Sequence, residues 1–313
     1  MKVIGVHELT RVFGNVVAVD HISFEVDEGE IFGLLGLNGA GKTTTVLMLA
    51  TLLNPDSGTA TVFGHDILKE KDSIRRSVGV VFEEQAVDIY LTGRQNLDFY
   101  AMMYNLPKKI RGERIADVLN TVGLAEHANV RVKDYSGGML RRLEIARGML
   151  TQPKVLFLDE PTIGVDVQTR RYLWDYLRRV NKDSAMTIFL ATSYLEEADY
   201  LCNRVALMDE GKLIVTGRPE ELKSSIGKNL ISLKLTTGLR ADFIKLLQGF
   251  DYVERIEERD DLLEFSLKNG SIGIPEIVRL ARGNGFTISS ISSHKPSLND
   301  VLLHYTGKRI EGE

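Results

Sequence analysis

Gly36-Leu37-Asn38-Gly39-Ala40-Gly41-Lys42-Thr43 satisfies every fixed position of the phosphate-loop pattern G-x-x-x-x-G-K-[ST]. The apolar run Ile31–Leu35 before it reads as a buried strand, and Thr44 to Leu53 after it reads as a helix. Strand, glycine loop and helix start converge backbone N–H groups and the positive end of a helix dipole on one point, which makes an anion site. Glycine keeps Cβ atoms away from the phosphates. Lys42 adds a mobile positive charge for β- and γ-phosphates, and the Thr43 hydroxyl can ligate Mg²⁺.

A nucleotide site of this kind needs a second half, and the chain supplies one. Val155-Leu156-Phe157-Leu158 is an apolar strand that ends in Asp159-Glu160. Asp159 at the strand tip can hold Mg²⁺, and Glu160 then lies where an attacking water would sit, as a candidate general base. Tyr135-Ser136-Gly137-Gly138-Met139 opens a further helix. Ser136 is a good N-cap, and the glycines leave the helix end bare for a second phosphate contact.

The rest of the chain divides by pattern. The first thirty residues alternate apolar and polar as antiparallel strands, with turns at Gly14-Asn15 and Glu28-Gly29. Thr59–Phe63, Val78–Phe82 and Thr187–Thr192 read as further strands. From Leu91 to Leu124 the period is helical, broken at Pro107. Arg170–Val180 and Tyr194–Cys202 are helical, and Arg204–Val215 is a hairpin. Near Gly217-Arg218-Pro219 the order changes, and the following segments run βαββαβ, as in a split βαβ sandwich. The expected division is residues 1–222 and 229–306. Glu254, Glu257, Glu258, Asp260 and Asp261 in the second part read as a solvated turn.

Composition narrows the setting. The 313 residues are 43% hydrophobic and 26% charged with a formal net charge of −4, as for an ordinary globular protein. No basic excess points to nucleic acid. No apolar run approaches the ~20 residues of a membrane helix, and Met1–Gly5 does not start a signal peptide. Cys202 is the only cysteine, so an intrachain disulfide is impossible. A cytoplasmic location is expected, with any membrane contact made through a partner.

Phosphate loop, Ser-Gly-Gly helix and Asp-Glu strand, in this order, resemble the ATP-binding cassette (ABC) family over about residues 3 to 222. Asp159-Glu160-Pro161-Thr162-Ile163-Gly164-Val165-Asp166 resembles its Walker B and D-loop segment. Phe13-Gly14 with Val19-Asp20 resembles its adenine-stacking A-loop, with Phe13 against the base. Lys295–Leu302 with Thr306-Gly307 is similar to the end of daunorubicin-resistance-type ATPase subunits. The resemblance implies an α/β P-loop NTPase cassette with a RecA-like core, an antiparallel β subdomain and a helical subdomain, plus a small C-terminal α+β domain. It implies ATP bound by Phe13, Gly36 to Thr43 and Thr44, and Mg²⁺ held by Thr43, Asp159 and Glu83. It also implies head-to-tail pairing with a second copy or a paralogous subunit, whose nucleotide Ser136, Gly137, Gly138 and Asp166 would contact in trans. The implied partner is a polytopic membrane permease, docked by Glu84 to Tyr104 through Tyr90, Leu91, Phe99 and Tyr100, and the implied location is the cytoplasmic face of the membrane.

Two positions depart from the family pattern. Glu83 stands at the Q-loop glutamine, with Gln85 two positions on, and Ser193 stands at the H-loop histidine. None of the six histidines, His7, His21, His65, His127, His294 and His304, lies in a second motif. A serine is too short to reach the γ-phosphate, so the expectation is MgATP binding and dimerisation with slow hydrolysis from Glu160. Two functions stay open at this point: the ATPase subunit of a transporter, of exporter type, and a nucleotide-controlled regulatory switch with a degenerate ATPase site.

Overall fold

The computed structural model describes residues 1–227, 229–237, 240–250, 253–259, 262–267 and 274–307. They form two compact units, one ending at Arg218 and the other beginning at Pro219.

The first unit opens on two long strands, β1 (Lys2–Phe13) and β2 (Val16–Asp27). They are joined at Gly14, whose φ of 57° suits the tight turn. Next come β3 (Ile31–Leu35), α1 (Lys42–Leu49), β4 (Ser57–Val62), β5 (His65–Asp66), α2 (Lys71–Ser77) and β6 (Val78–Val81). A helical section follows, with α3 (Gly93–Met103), α4 (Lys108–Thr121) and α5 (Gly137–Met149). The unit closes with β7 (Val155–Asp159), α6 (Val167–Ser184), β8 (Thr187–Thr192), α7 (Leu195–Leu201), β9 (Arg204–Asp209) and β10 (Lys212–Gly217).

Two sheets result. An antiparallel one has the order β2-β1-β4-β5, and a six-stranded one has the order β10-β9-β3-β8-β7-β6. In the second, β9, β3, β8, β7 and β6 run parallel, and β10 adds an antiparallel edge. Every residue of β3, β7 and β8 is buried, which is why these strands read as continuous apolar runs. Phe24 of β2 meets Phe32 and Phe189 of the parallel sheet, and Phe189 in turn meets Phe157, in one aromatic cluster with neighbouring centroids 5.4 to 5.9 Å apart.

Register sets the site. Leu35 lies opposite Thr192, and Ala191 lies opposite Asp159. The carboxyl ends of β3, β7 and β8 are therefore level, and the residues that follow them, Gly36, Glu160 and Ser193, open into the same crevice, the usual ligand position in a parallel sheet.

Some boundaries moved. Helix α1 stops at Leu49 rather than Leu53, because Thr51 takes a left-handed φ of 62°. Helix α6 starts at Val167 rather than Arg170, because Asp166 caps it. The short helix α2 is mostly charged and buries only Ile74, so its sequence carries little periodic signal.

The second unit contains α8 (Pro219–Ser225), β11 (Leu230–Thr237), α9 (Arg240–Gln248), β12 (Val253–Arg259), β13 (Leu262–Leu267), α10 (Ile274–Gly283), β14 (Thr287–His294) and α11 (Leu298–Thr306). Its antiparallel sheet has the order β12-β13-β11-β14, the split βαβ arrangement. Leu233, Phe243, Leu247, Phe265 and Ile277 fill its core, and Phe243 meets Phe286 edge-on at 5.0 Å. Ser297 and Asp300 form a capping box that starts α11. Of the acidic residues expected in a turn, Glu254, Glu257 and Glu258 lie instead in strand β12, where Glu258 stands 3.4 Å from Arg240, and Asp260 and Asp261 lie outside the described residues.

Candidate nucleotide site

The loop after β3 is wedged between two strands. A Cβ on Gly41 would strike the Ala18 carbonyl, and one on Gly36 would strike the Met208 carbonyl. Gly39 and Gly41 also take φ values of 83° and 106°, where L side chains are strained. Asn38, Gly39 and Thr43 remain exposed, Leu37 and Thr44 are half-buried, and Ala40 is buried.

Lys42 turns inward and is only 5% exposed. Its Nζ donates to the carbonyls of Gly36 at 2.9 Å and Leu37 at 3.2 Å. It also stands 3.2 Å from Glu160 Oε1. That contact is an ion pair without hydrogen-bond alignment, since Oε1 has no hydrogen-bond partner. Glu160 takes a φ of 48°, and its N–H donates to the Ala191 carbonyl at 2.8 Å. Its other oxygen accepts from both the backbone N–H and the hydroxyl of Ser193, each at 3.1 Å. Ser193 therefore grips the carboxylate of Glu160.

Asp159 is buried, and its Oδ1 has no hydrogen-bond partner. Burial pushes its carboxyl up from the ordinary value; a hydrogen bond with Thr43 pulls it down, and Glu160 pushes it up again. A buried, unpartnered carboxylate oxygen beside a hydroxyl suits a hard divalent cation. Glu83 is exposed, and its charge also acts on Asp159. Among the described residues, no group of three or more His, Cys, Asp or Glu is placed to hold a metal alone.

The remaining candidates stand on two other surfaces. Phe13, at the end of β1, is 46% exposed, with the Arg11 guanidinium 4.7 Å over its ring. Ser136 caps α5 by accepting from the Met139 N–H, and both Ser136 and Gly137 are exposed. Asp166 caps α6 by accepting from the Thr169 N–H at 2.9 Å; the Thr169 hydroxyl first, and this N–H with it, hold its carboxyl below the usual range. A Cβ on Gly138 would strike Thr169, so the Ser-Gly-Gly turn and the segment at Asp166 meet there.

Sequence reading missed three buried charged residues beside these groups. Arg141 of α5 is 5% exposed and donates only to carbonyls: Pro161 at 2.6 Å, Phe82 at 2.6 Å, Glu160 at 2.8 Å and Asp159 at 3.1 Å. Glu144, one turn on, accepts from the Ala86 N–H at 2.7 Å and pairs with Arg147 at 2.9 Å. Glu197 of α7 accepts from Thr162 and Trp174, each at 2.9 Å. Burial pushes the Glu197 carboxyl up, while hydrogen bonds from Thr192, Thr162 and Trp174 oppose the rise.

Fold and site together define a P-loop nucleotide-binding cassette carrying a second α+β unit. Comparison with known proteins agrees: residues 19–163 match the ABC transporter family, and residues 217–306 match the C-terminal domain of DrrA1-3-like ATP-binding proteins. The chain is 39% identical to the daunorubicin/doxorubicin resistance ATP-binding protein DrrA of Streptomyces peucetius, over 96% of this chain and 91% of that protein. It is 32% identical to the linearmycin resistance ATP-binding protein LnrL of Bacillus subtilis, over 96% of this chain and 97% of the relative. It is 36% identical to the Nod factor export ATP-binding protein I of Sinorhizobium fredii, over 97% and 87%. Among solved structures, cbiO1 of Clostridium perfringens, part of the ABC transporter complex cbiONQ, matches at a TM-score of 0.66 and 28% identity, over 71% of this chain and 90% of that one. The chain belongs to the ABC transporter family, as an ATP-binding protein of the DrrA-like type.

Proposed function

We propose that this chain is the ATP-driven subunit of an exporter, which pairs head to tail with a second copy or a paralogue and acts on a separate membrane permease. The observation that carries this reading is the meeting of Lys42, Thr43, Asp159, Glu160 and Ser193 at the level ends of β3, β7 and β8. The named relatives are resistance and export ATP-binding proteins, which favours a transporter over a free-standing switch. No helix among the described residues is long and apolar enough to cross a membrane, so the reading requires a partner that can.

In this reading the N–H groups of the loop and of the α1 N-terminus bind the phosphates. Lys42 exchanges Glu160 for the β- and γ-phosphates, and the released Glu160 carboxylate takes a proton from the attacking water. Thr43 and Asp159, with Glu83 nearby, would hold Mg²⁺, which supplies charge neutralisation on the phosphate oxygens. The exposed Ser136–Gly138 turn and Asp166 would meet the partner's γ-phosphate.

Permease docking is assigned to the outward face of α3 and the loop before it. Tyr90 is 73%, Phe99 55%, Met102 46% and Met103 62% exposed, with Arg94 and Asp98 as the charged residues of the same helix. An apolar face of that kind on a globular unit marks an interaction surface. Tyr100, expected there from sequence, packs inward against Arg147 and Tyr104, and Leu91 is half-buried. Phe99→Asp is therefore expected to abolish co-purification with a polytopic membrane protein from detergent-solubilised host membranes while ATP binding persists. Undiminished recovery of the membrane protein would move the docking face elsewhere.

Hydrolysis is expected to be slow, because the Ser193 hydroxyl is spent on Glu160 and is too short for the γ-phosphate. Wild-type turnover should lie below ~1 s⁻¹, and Ser193→His should raise it about ten-fold or more by adding a donor to the transferring phosphoryl group. A phosphate-release assay decides: ordinary turnover in the wild type, unchanged by the substitution, would refute this.

A further inference from the structure

We infer that Arg141 couples the two nucleotide sites of the pair: it is a positioning residue that ties the helix meeting the partner's nucleotide to the backbone carrying this chain's own Asp159 and Glu160. The inference rests on the head-to-tail reading proposed above.

The geometry is specific. One guanidinium spans the ends of two neighbouring parallel strands, β6 and β7, which pair at Val81 and Leu158. Its Nε donates to Pro161, its Nη2 to Asp159 and Glu160, and its Nη1 to Phe82. These carbonyls belong to the candidate Mg²⁺ ligand Asp159, the candidate base Glu160, the residue after them, and the residue before Glu83. A planar fork of five donors can serve four carbonyls at fixed angles, whereas an ammonium cannot. No carboxylate lies within ion-pair distance of Arg141 among the described residues; four carbonyls take its hydrogen bonds, while the charges of Glu144, Glu197, Asp159 and Glu83 act on it from further off against the cost of burial. Apolar packing would make a simpler staple at such a place.

The same helix end carries the other site. Ser136 caps α5, and Gly137 is open where a partner's phosphate would approach. Arg141 lies little more than one helical turn further on. Glu144 then holds Ala86, so α5 grips the chain on both sides of the Glu83–Gln85 segment. A shift of the α5 N-terminus on meeting a partner's γ-phosphate is therefore passed to the Asp159–Pro161 backbone and to the start of the segment assigned to permease docking. Coupling through a rigid element with defined contacts is a physical route of this kind.

The test is a double-mutant cycle in the full-length chain, using Ser136→Ala and Arg141→Lys and reading kcat by phosphate release and nucleotide affinity by a fluorescent ATP analogue. Arg141→Lys is expected to keep nucleotide affinity within about three-fold, since the phosphate loop is untouched, and to lower kcat about 10- to 100-fold through misplacement of Glu160. Ser136→Ala should slow the wild type but have little further effect in the Arg141→Lys chain. If Ser136→Ala slows both chains equally, the coupling is refuted while the paired reading survives. If Ser136→Ala leaves the wild-type rate unchanged, the head-to-tail reading falls, and this inference with it. Should Arg141→Lys fail to fold, hydrogen exchange on the wild type and on Ser136→Ala decides. MgATP should protect residues 159–162 in the wild type and lose that effect in Ser136→Ala; equal protection in both chains overturns the coupling.

Discussion

Glu160→Gln is expected to lower steady-state ATP turnover by on the order of 10²–10⁴-fold while MgATP binding persists and the paired, ATP-bound state accumulates. The amide keeps the shape of the carboxylate, and its oxygen can still accept from the N–H and hydroxyl of Ser193. It cannot take a proton from water. It also removes a buried negative charge beside the position of the γ-phosphate, and with it a like-charge repulsion that opposes nucleotide entry. Lys42, now held only by the carbonyls of Gly36 and Leu37, is freer to move onto phosphate. ATP should therefore bind at least as tightly as in the wild type. Light scattering behind size exclusion, with and without MgATP, reports the pairing, and phosphate release reports the chemistry. Wild-type turnover in this variant would remove Glu160 from the role of base. A variant that binds MgATP yet stays monomeric would refute the head-to-tail sandwich.

The phosphate loop was legible because its chemistry constrains residue type at each step. Gly36, Gly39 and Gly41 answer to a carbonyl clash or a left-handed φ, and only Lys42 and Thr43 supply the remaining functions. The parallel strands were legible because they are buried on both faces, and the βαββαβ order of the second unit followed from alternation and turns. The role of Ser193 was only half legible. Its sequence position marks an absent histidine, but its grip on Glu160 depends on the register that sets Asp159 opposite Ala191. Arg141 was missed because charged residues on a helix are read as its solvated face. A signal was available: Gly138, Arg141, Ile145 and Gly148 share one helical stripe, so Arg141 interrupts a buried face. Tyr100 was legible both ways: an aromatic ring in this helix suits either a docking face or the helical core, and it packs inward beneath Arg147.

Lys42→Ala is expected to abolish MgATP binding and, in the nucleotide-free chain, to destabilise the first unit by about 3 kcal/mol. The size follows from burial. Lys42 and Glu160 expose only 5% and 6% of their side chains. Removing the ammonium leaves a buried carboxylate without its cation, and the Gly36 and Leu37 carbonyls lose a donor. Glu160→Gln added to Lys42→Ala should recover much of that loss, because no uncompensated charge then remains. A coupling energy of about 1–3 kcal/mol is expected. Trp174 is the chain's single tryptophan and is buried in this unit, so its fluorescence during urea unfolding reports the cassette without signal from the second unit. Two outcomes would contradict the scheme. If MgATP still raises the unfolding midpoint of Lys42→Ala, Lys42 is not the phosphate ligand. If the two substitutions act additively, the ion pair contributes nothing in the free chain. Nucleotide entry would then not begin with the exchange of Glu160 for phosphate at Lys42.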